Sequence, residues 1–341
     1  MKKIVVAALA VLAFAACSEK QNPNTYTITG TATDLDGQAV ALVNESRDTL
    51  AVDTIKGGAF TFTGTADSTM LATVAVDRQH AAQIVVEPGT IQLDLNNGSA
   101  TGTPLNDGLE AFSAYVKTLM EAMNQEGANQ DSIETLYNNK IEEICNTHVG
   151  DILGLMMVRD LAYDYSKAQL DSVMALSALY EGDARLQRIA TAKAAEEATS
   201  AGHAYVDIEG VDATTGAPVK LSDIVAQGKP VIVDFWASWC GPCRREIKEY
   251  LSKYAPQYKN KVNFVGIAVW ENGVEDTQRA MSELPISWPV IFAGGRENSP
   301  TEAYGIVGIP HIMLIAPDGT IQARNLRGEA IAEAIEEALK K

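Results

Sequence analysis

Val231-Ile232-Val233-Asp234-Phe235-Trp236-Ala237-Ser238-Trp239-Cys240-Gly241-Pro242-Cys243 governs how the rest of the chain is understood. A β-branched and aromatic run ends in two cysteines two residues apart, and the helix-forming Arg244-Arg245-Glu246-Ile247-Lys248 follows at once. The pattern predicts a strand that delivers the pair to a helix N-terminus. Unpaired N–H groups and the positive dipole end gather there and stabilise a thiolate, which in motifs of this type lowers the first cysteine from about 8.5 toward about 7. Cys240 is therefore the expected nucleophile. Cys243 stands one helical turn on, within reach of a mixed disulfide at Cys240. Pro242 suits the first turn, where a missing N–H costs nothing. A CxxC also occurs as half of a zinc site, but that needs two further ligands, and no second CxxC or neighbouring His pair is present, so no metal is expected. A purely structural disulfide is the remaining alternative, at a turn that is an exposed and reactive place for one.

Asp234 interrupts an apolar strand that should be buried on both faces, where an unpaired carboxylate is costly and its pKa rises. The alternative is an Asp at the strand end bonded to backbone or water. Trp236 and Trp239 are expected to pack beside the dithiol and shield it.

VDFWASWCGPC is similar to the active-site segment of thioredoxin, and the surrounding region resembles the TlpA/ResA branch of exported thioredoxin-like oxidoreductases. A second point of resemblance is Tyr304-Gly305-Ile306-Val307-Gly308-Ile309-Pro310, ahead of the apolar run His311 to Ile315 and a Pro317-Asp318-Gly319 turn. The resemblance implies that Pro310 is cis and faces the dithiol, and that the backbone of Ile309 pairs with bound substrate. It further implies substrate contact at Trp239, Gly241 and Pro242, and proton exchange between Asp234 and Cys243. Many TlpA/ResA relatives carry Asn at the position of Asp234 and a Glu elsewhere, so in this respect the chain leans toward thioredoxin itself.

The chain has 341 residues, 46% hydrophobic and 21% charged, the composition of globular material in two or three domains. Lys2 and Lys3, an apolar run from Ile4 to Ala16 and then Cys17 read as a secretory leader, too short to span a bilayer as a helix. Ala15-Ala16-Cys17 resembles a lipoprotein signal box, which makes 1–16 a signal peptide, Cys17 the lipidation site and 17–24 a tether. Phe14 stands where such a box usually has Leu, and ordinary signal cleavage is the alternative. The formal charge of −17 becomes −19 once the two leader lysines are lost. So acidic a chain repels nucleic acid and anionic membrane surfaces. Export places the dithiol where disulfides persist, so keeping it reduced requires an electron supply.

Residues 25–100 read as an all-β sandwich or barrel, with short strands at Tyr26–Gly30, Ala39–Val43, Thr49–Ile55, Phe60–Gly64, Met70–Val76, Gln83–Val86 and Thr90–Leu95 separated by Gly-containing turns. The stretch resembles the β domain of uncharacterised function often found ahead of thioredoxin domains in exported lipoproteins of diderm bacteria. Residues 101–201 read as one helical segment: apolar residues at three- and four-residue steps from Leu105 to Met123, a second helix over Ile133–Ile144, and a third over Ile152–Tyr163. A fourth starts at a Ser166/Gln169 capping box and ends near Gly182, and a last one covers Ala184–Ala198. Cys145 and His148 are three apart, as ligands on one helical face could be, but a buried thiol beside a surface His is the simpler reading.

Residues 202–341 read as an α/β thioredoxin fold. The expected elements are an edge strand at Tyr205–Ile208, a short helix capped by Ser222, the central strand, the active-site helix to Tyr258, and strands at Val262–Val269, Trp288–Phe292, His311–Ile315 and Thr320–Ala323. Helices at Glu275–Ser282 and Gly328–Leu339 complete a βαβ half joined to a ββα half. His311 is assigned to strand packing.

Together these features give an expected thiol-disulfide oxidoreductase that works through Cys240 and Cys243 with no other cofactor. Gly-Pro between the cysteines is the thioredoxin pair. Thioredoxin and the periplasmic oxidant DsbA differ by about 150 mV, roughly 7 kcal/mol for two electrons, which favours a reductase. The resemblance implies a lipid-anchored, periplasm-facing protein of the cell envelope. Oxidised envelope proteins or apocytochrome c would be its substrates, and a DsbD- or CcdA-like membrane protein its electron donor. An oxidase or isomerase would use the same residues with the poise reversed, and a partner-binding lipoprotein would make the dithiol secondary. A peroxidase of the peroxiredoxin type lacks its Thr-x-x-Cys, since Ala237 stands at the threonine position.

Overall fold

A computed structural model describes residues 23–295 and 299–340; the leader and Cys17 lie outside the described residues. The chain divides into two compact units, Met1–Asp160 and Leu161–Lys341. The division falls inside the run expected as one helical segment, because the last of its helices, Ala184–Ala198, packs against the segment at Gly305 and is bonded by Arg324, while the two helices before it pack on that helix.

In the first unit, β1 (Thr25–Thr31), β2 (Ala39–Asn44), β3 (Thr49–Thr54), β4 (Ala59–Thr65), β5 (Met70–Ala75), β6 (Ala81–Val86), β7 (Gly89–Asp94) and β8 (Ser99–Thr101) form two four-stranded sheets. Their orders are β4-β1-β7-β8 and β3-β2-β5-β6. Alternating residues turn inward: Tyr26 and Ile28, Phe60 and Phe62, Val40 and Leu42, and Ile84 and Val86 share one apolar core, so the unit is a sandwich rather than a closed barrel. β8 was not expected, being too short to carry an alternation. α1 (Pro104–Met123), α2 (Gln130–Thr147) and α3 (Ile152–Leu161) follow. Asn106 anchors the start of α1 to β6, accepting from Val85 N at 2.9 Å and donating to Val85 O at 2.7 Å.

The second unit opens with α4 (Lys167–Met174), α5 (Ala178–Glu181) and α6 (Ala184–Ala198). The Ser166/Gln169 capping box is present, but the single helix expected to reach Gly182 is broken, because Ser177 accepts from Leu179 N at 3.1 Å and starts a new helix. β9 (Glu209–Asp212), β10 (Pro218–Lys220), α7 (Leu221–Val225), β11 (Val231–Trp236), α8 (Gly241–Glu246), a π turn (Ile247–Leu251) and α9 (Ser252–Tyr258) come next. β12 (Asn263–Ala268), α10 (Val274–Glu283), β13 (Val290–Phe292), α11 (Pro300–Ala303), β14 (His311–Ile315), β15 (Ile321–Leu326) and α12 (Ala330–Ala338) complete the unit.

The seven-stranded sheet has the order β10-β9-β13-β12-β11-β14-β15. β11 runs parallel to β12 and antiparallel to β14. All six of its residues are buried, as a strand covered on both faces requires. Ile232 and Trp236 join Ile247, Leu251, Ile331 and Ile335 on one face, while Val233 and Phe235 join Leu221, Tyr304 and Ile306 on the other.

Two expectations are corrected here. The first strand of the sheet lies at Glu209–Asp212, not Tyr205–Ile208, and it is not at the edge: Asp212 accepts from Thr214 N and Thr215 N and folds a tight hairpin, so that β10 takes the edge and β9 pairs with β10 and β13. Ser222 does not cap α7: Lys220 is the cap residue and its N–H goes to Asp223 at 2.9 Å, while Ser222 bonds Asp207.

Candidate active site

The β-branched run of β11 stops at Trp236, and Pro242 in the first turn of α8 fixes the helix start just past Cys240. Cys240 is the N-cap residue of α8, and its Sγ accepts from the Cys243 backbone N–H at 3.2 Å. The two cysteines form a disulfide with Cα atoms 5.3 Å apart. Cys243 is fully buried and Cys240 nearly so, while Gly241 and Pro242 are exposed. Reduction leaves the Cys243 amide and the helix dipole directed at the sulfur of Cys240, which favours its ionised form. The buried Cys243 sulfur lacks that help.

Ile309–Pro310 is a cis peptide bond, and Ile309 O lies 3.8 Å from Cys240 Sγ. The turn before β14 is thus brought against Cys240. Arg327 donates to the carbonyl of Pro310 from the end of β15. Trp236 packs in the same apolar cluster as the two cysteines. Trp239 is 53% exposed, so it flanks the dithiol without covering it, its indole N–H donated to Trp270 O at 3.1 Å.

Asp234 is buried, and neither carboxylate oxygen has a hydrogen-bond partner among the described residues. Burial, and next the negative charge of Glu246, push its pKa up to about 8, against the opposing charge of Arg327. Sequence reasoning missed Glu246 and Arg327. The signal for Glu246 was its place three residues after Cys243, on the same helical face. Its carboxylate accepts from Gly328 N at 3.0 Å.

Glu271 was also missed. It is 3% exposed and accepts from both Ser238 N and Ser238 Oγ, at 2.5 and 2.8 Å. Trp270 and Glu271 follow β12, the strand parallel to β11, so the ends of two neighbouring strands tie the dithiol loop. Arg244 closes the other side, donating to Ser238 O at 3.2 Å and to Glu283 at 2.6 Å.

His311 is buried with its ring edge-on to Phe235. Burial, aided by Arg324 and Arg327, pushes its pKa down to about 4. It is uncharged at neutral pH and belongs to the strand packing. Cys145 lies on α2 in the first unit, half-buried, its thiol pushed up to about 11 chiefly by burial. His148 pairs with Asp151 at 2.8 Å. Among the described residues no group of three or more His, Cys, Asp or Glu is placed to hold a metal. Disulfide exchange itself needs only the cysteine pair.

Comparison with known proteins agrees with this chemistry. Residues 196–339 match the Redoxin family, and residues 26–109 match a domain of unknown function, DUF4369. The thiol-disulfide oxidoreductase ResA of Bacillus thuringiensis subsp. konkukian is 32% identical over 127 residues, 37% of this chain and 69% of that protein. Thioredoxin from Alicyclobacillus acidocaldarius is 40% identical over 68 residues, 20% of this chain and 62% of that protein. The crystal structure of the thioredoxin domain of a thiol-disulfide oxidoreductase from Bacteroides vulgatus is 32% identical, with a TM-score of 0.36, covering 40% of this chain and 96% of that one. With a helix-capping Cys240 bonded to Cys243 under a cis-proline turn, and with a relative of this identity and coverage, the chain belongs to the TlpA/ResA-like thiol-disulfide oxidoreductases of the thioredoxin fold.

Proposed function

We propose that this oxidoreductase works as a reductase of protein disulfides outside the cytoplasm. The observation that carries the direction is the Gly241-Pro242 pair inside a helix-capping dithiol whose first sulfur receives the Cys243 amide. Cys240 thiolate attacks one sulfur of the substrate disulfide, forming a mixed disulfide and expelling the other substrate sulfur as a thiolate. Asp234 takes the proton of Cys243, whose sulfur then attacks Cys240 and releases the second substrate thiolate, leaving the Cys240–Cys243 disulfide. A carboxyl that titrates at about 8 is ionised in a minority of molecules at neutral pH and accepts the proton in that fraction, so resolution quickens as pH rises toward that value. Trp239, Gly241, Pro242, Ile309 and Pro310 form the surface against which substrate lies.

The leader and Cys17 support a lipid-anchored, periplasm-facing protein of the envelope. Such a reductase draws electrons from a DsbD- or CcdA-like membrane donor and serves either apocytochrome c maturation or repair of oxidised envelope proteins. The reduction potential of the Cys240–Cys243 couple tests the direction. A value near thioredoxin's, about −270 mV, is expected; one near about −120 mV would make the protein an oxidant.

A further inference from the structure

The helix α6 lies alongside the segment that leads into cis-Pro310, and only glycine allows so close an approach. Gly305 has φ +62°, and a Cβ placed there would sit 2.1 Å from the carbonyl oxygen of Ala192 and 2.6 Å from the N of Glu196. The contact is fastened by Arg324 of β15, whose guanidinium donates to Thr199 O at 2.9 Å, Glu196 O at 3.2 Å and Tyr304 O at 2.6 Å. The C-terminal end of α6 and the strand-leading segment are thereby held as one piece.

Two hollows flank this contact. One, of about 540 Å³, has Gln187 and Thr191 of α6 on one wall; the other, of about 570 Å³, runs on to Ile309 and Pro310. Gly305, Ile306 and Val307 line both, so they form one trough along α6, with Val307 67% exposed at its rim. At its far end the trough reaches Ile309, whose carbonyl oxygen is 3.8 Å from Cys240 Sγ. The Redoxin match begins at residue 196, so most of the wall that α6 contributes lies ahead of it.

We propose that this trough binds the extended stretch of polypeptide beside the substrate cysteine that pairs with Cys240, making α6 a specificity element of this chain. The inference rests on the reading of the enzyme as acting on protein disulfides. The dimensions suit the occupant: from Ala184 to Glu196 the helix rises about 18 Å, the span of about five extended residues. Ile306 and Val307 give the trough an aliphatic stripe between polar walls that include Gln187, Arg188, Glu302 and Arg324, which suits an extended backbone with aliphatic side chains, and the nearness of Ile309 to the sulfur sets where the peptide begins.

The test uses the full chain carrying Cys243→Ala, so that reaction stops at the mixed disulfide. Two reagents are compared, a peptide of about ten residues with aliphatic side chains flanking a central cysteine, and glutathione, each activated as its thionitrobenzoate disulfide. The Cys240–substrate bond forms as the bond to thionitrobenzoate breaks, and the coloured thiolate leaves with the electron pair. Thr191→Trp, which fills the first hollow, is expected to lower the ratio of peptide rate to glutathione rate about tenfold, and Gln187→Trp in the same hollow to do likewise. A ratio that neither variant changes would overturn the trough while leaving the reductase reading intact. Failure of Cys240 to react with either reagent would overturn both.

Discussion

Ser238 gives both its backbone N–H and its hydroxyl to the buried carboxylate of Glu271, at 2.5 and 2.8 Å. The pair stands two residues before Cys240 and joins the loop after β12 to the loop after β11. Because the carboxylate is buried and its acceptor lone pairs meet two donors, the interaction sets where the helix cap begins.

Glu271→Ala removes an acceptor from two donors that stay partly buried. The expected loss of stability is about 2 to 3 kcal/mol, read as a lower urea midpoint, with Glu271→Gln losing about half as much because its amide oxygen still serves one donor. Disulfide-reductase kcat/KM should fall in the same order. Equal midpoints for all three proteins would show that the loop is held by other contacts.

Asp234 gives the oxidised protein a distinctive pH response. An unfolded Asp titrates near about 3.9, whereas Asp234 in the fold keeps its proton up to about 8. The folded state binds the extra proton between those values, so stability is fully present below the lower one and is lost as pH rises through the upper one. Asp234→Asn should flatten that fall, which is on the order of several kcal/mol at its full extent. Glu246→Gln removes a like charge and should end the window at lower pH. Urea midpoints from pH 5 to about pH 9 measure both; a wild-type curve that rises across this range would contradict the assignment.

Gly305→Ala should cost about 3 kcal/mol or more, because a left-handed backbone and a collision with helix backbone act together. Gly216 is also left-handed, at φ +74°, but a methyl added there would meet nothing within 4 Å, and Gly216→Ala should cost only about 1 to 2 kcal/mol. Thermal midpoints separate the two. Similar small shifts for both would mean that α6 yields to the added methyl.

The parts of the fold that read directly from the chain are those whose signal is local. Val231–Trp236 is β-branched, aromatic and continuous, and Pro242 marks a helix start, so the strand-to-helix turn bearing Cys240 was legible, as was the Ser166/Gln169 cap. The Gly-Ile-Pro run ending at Pro310 was legible through resemblance alone. Glu271 was not, because nothing within its own neighbourhood says that it will meet Ser238, 33 residues earlier. Nor was the β9–β10 hairpin, whose position depends on Asp212 capturing two amides in competition with an apolar Tyr205–Ile208 run. Ile208 is indeed buried, but as a core anchor outside the sheet. The break between α4 and α5 turned on one hydroxyl, that of Ser177, inside a run of residues equally suited to helix.

How readily Cys240 ionises in the reduced enzyme separates an activated nucleophile from an ordinary thiol. The rate of alkylation of this thiol by iodoacetamide, followed from pH 5 to about pH 10 in the Cys145→Ser background, is expected to titrate near about pH 7. A thiol that stays protonated until about pH 8.5 or above, the range of an unperturbed cysteine, would mean that the helix cap does not activate the sulfur and would remove the basis for its attack on substrate disulfides.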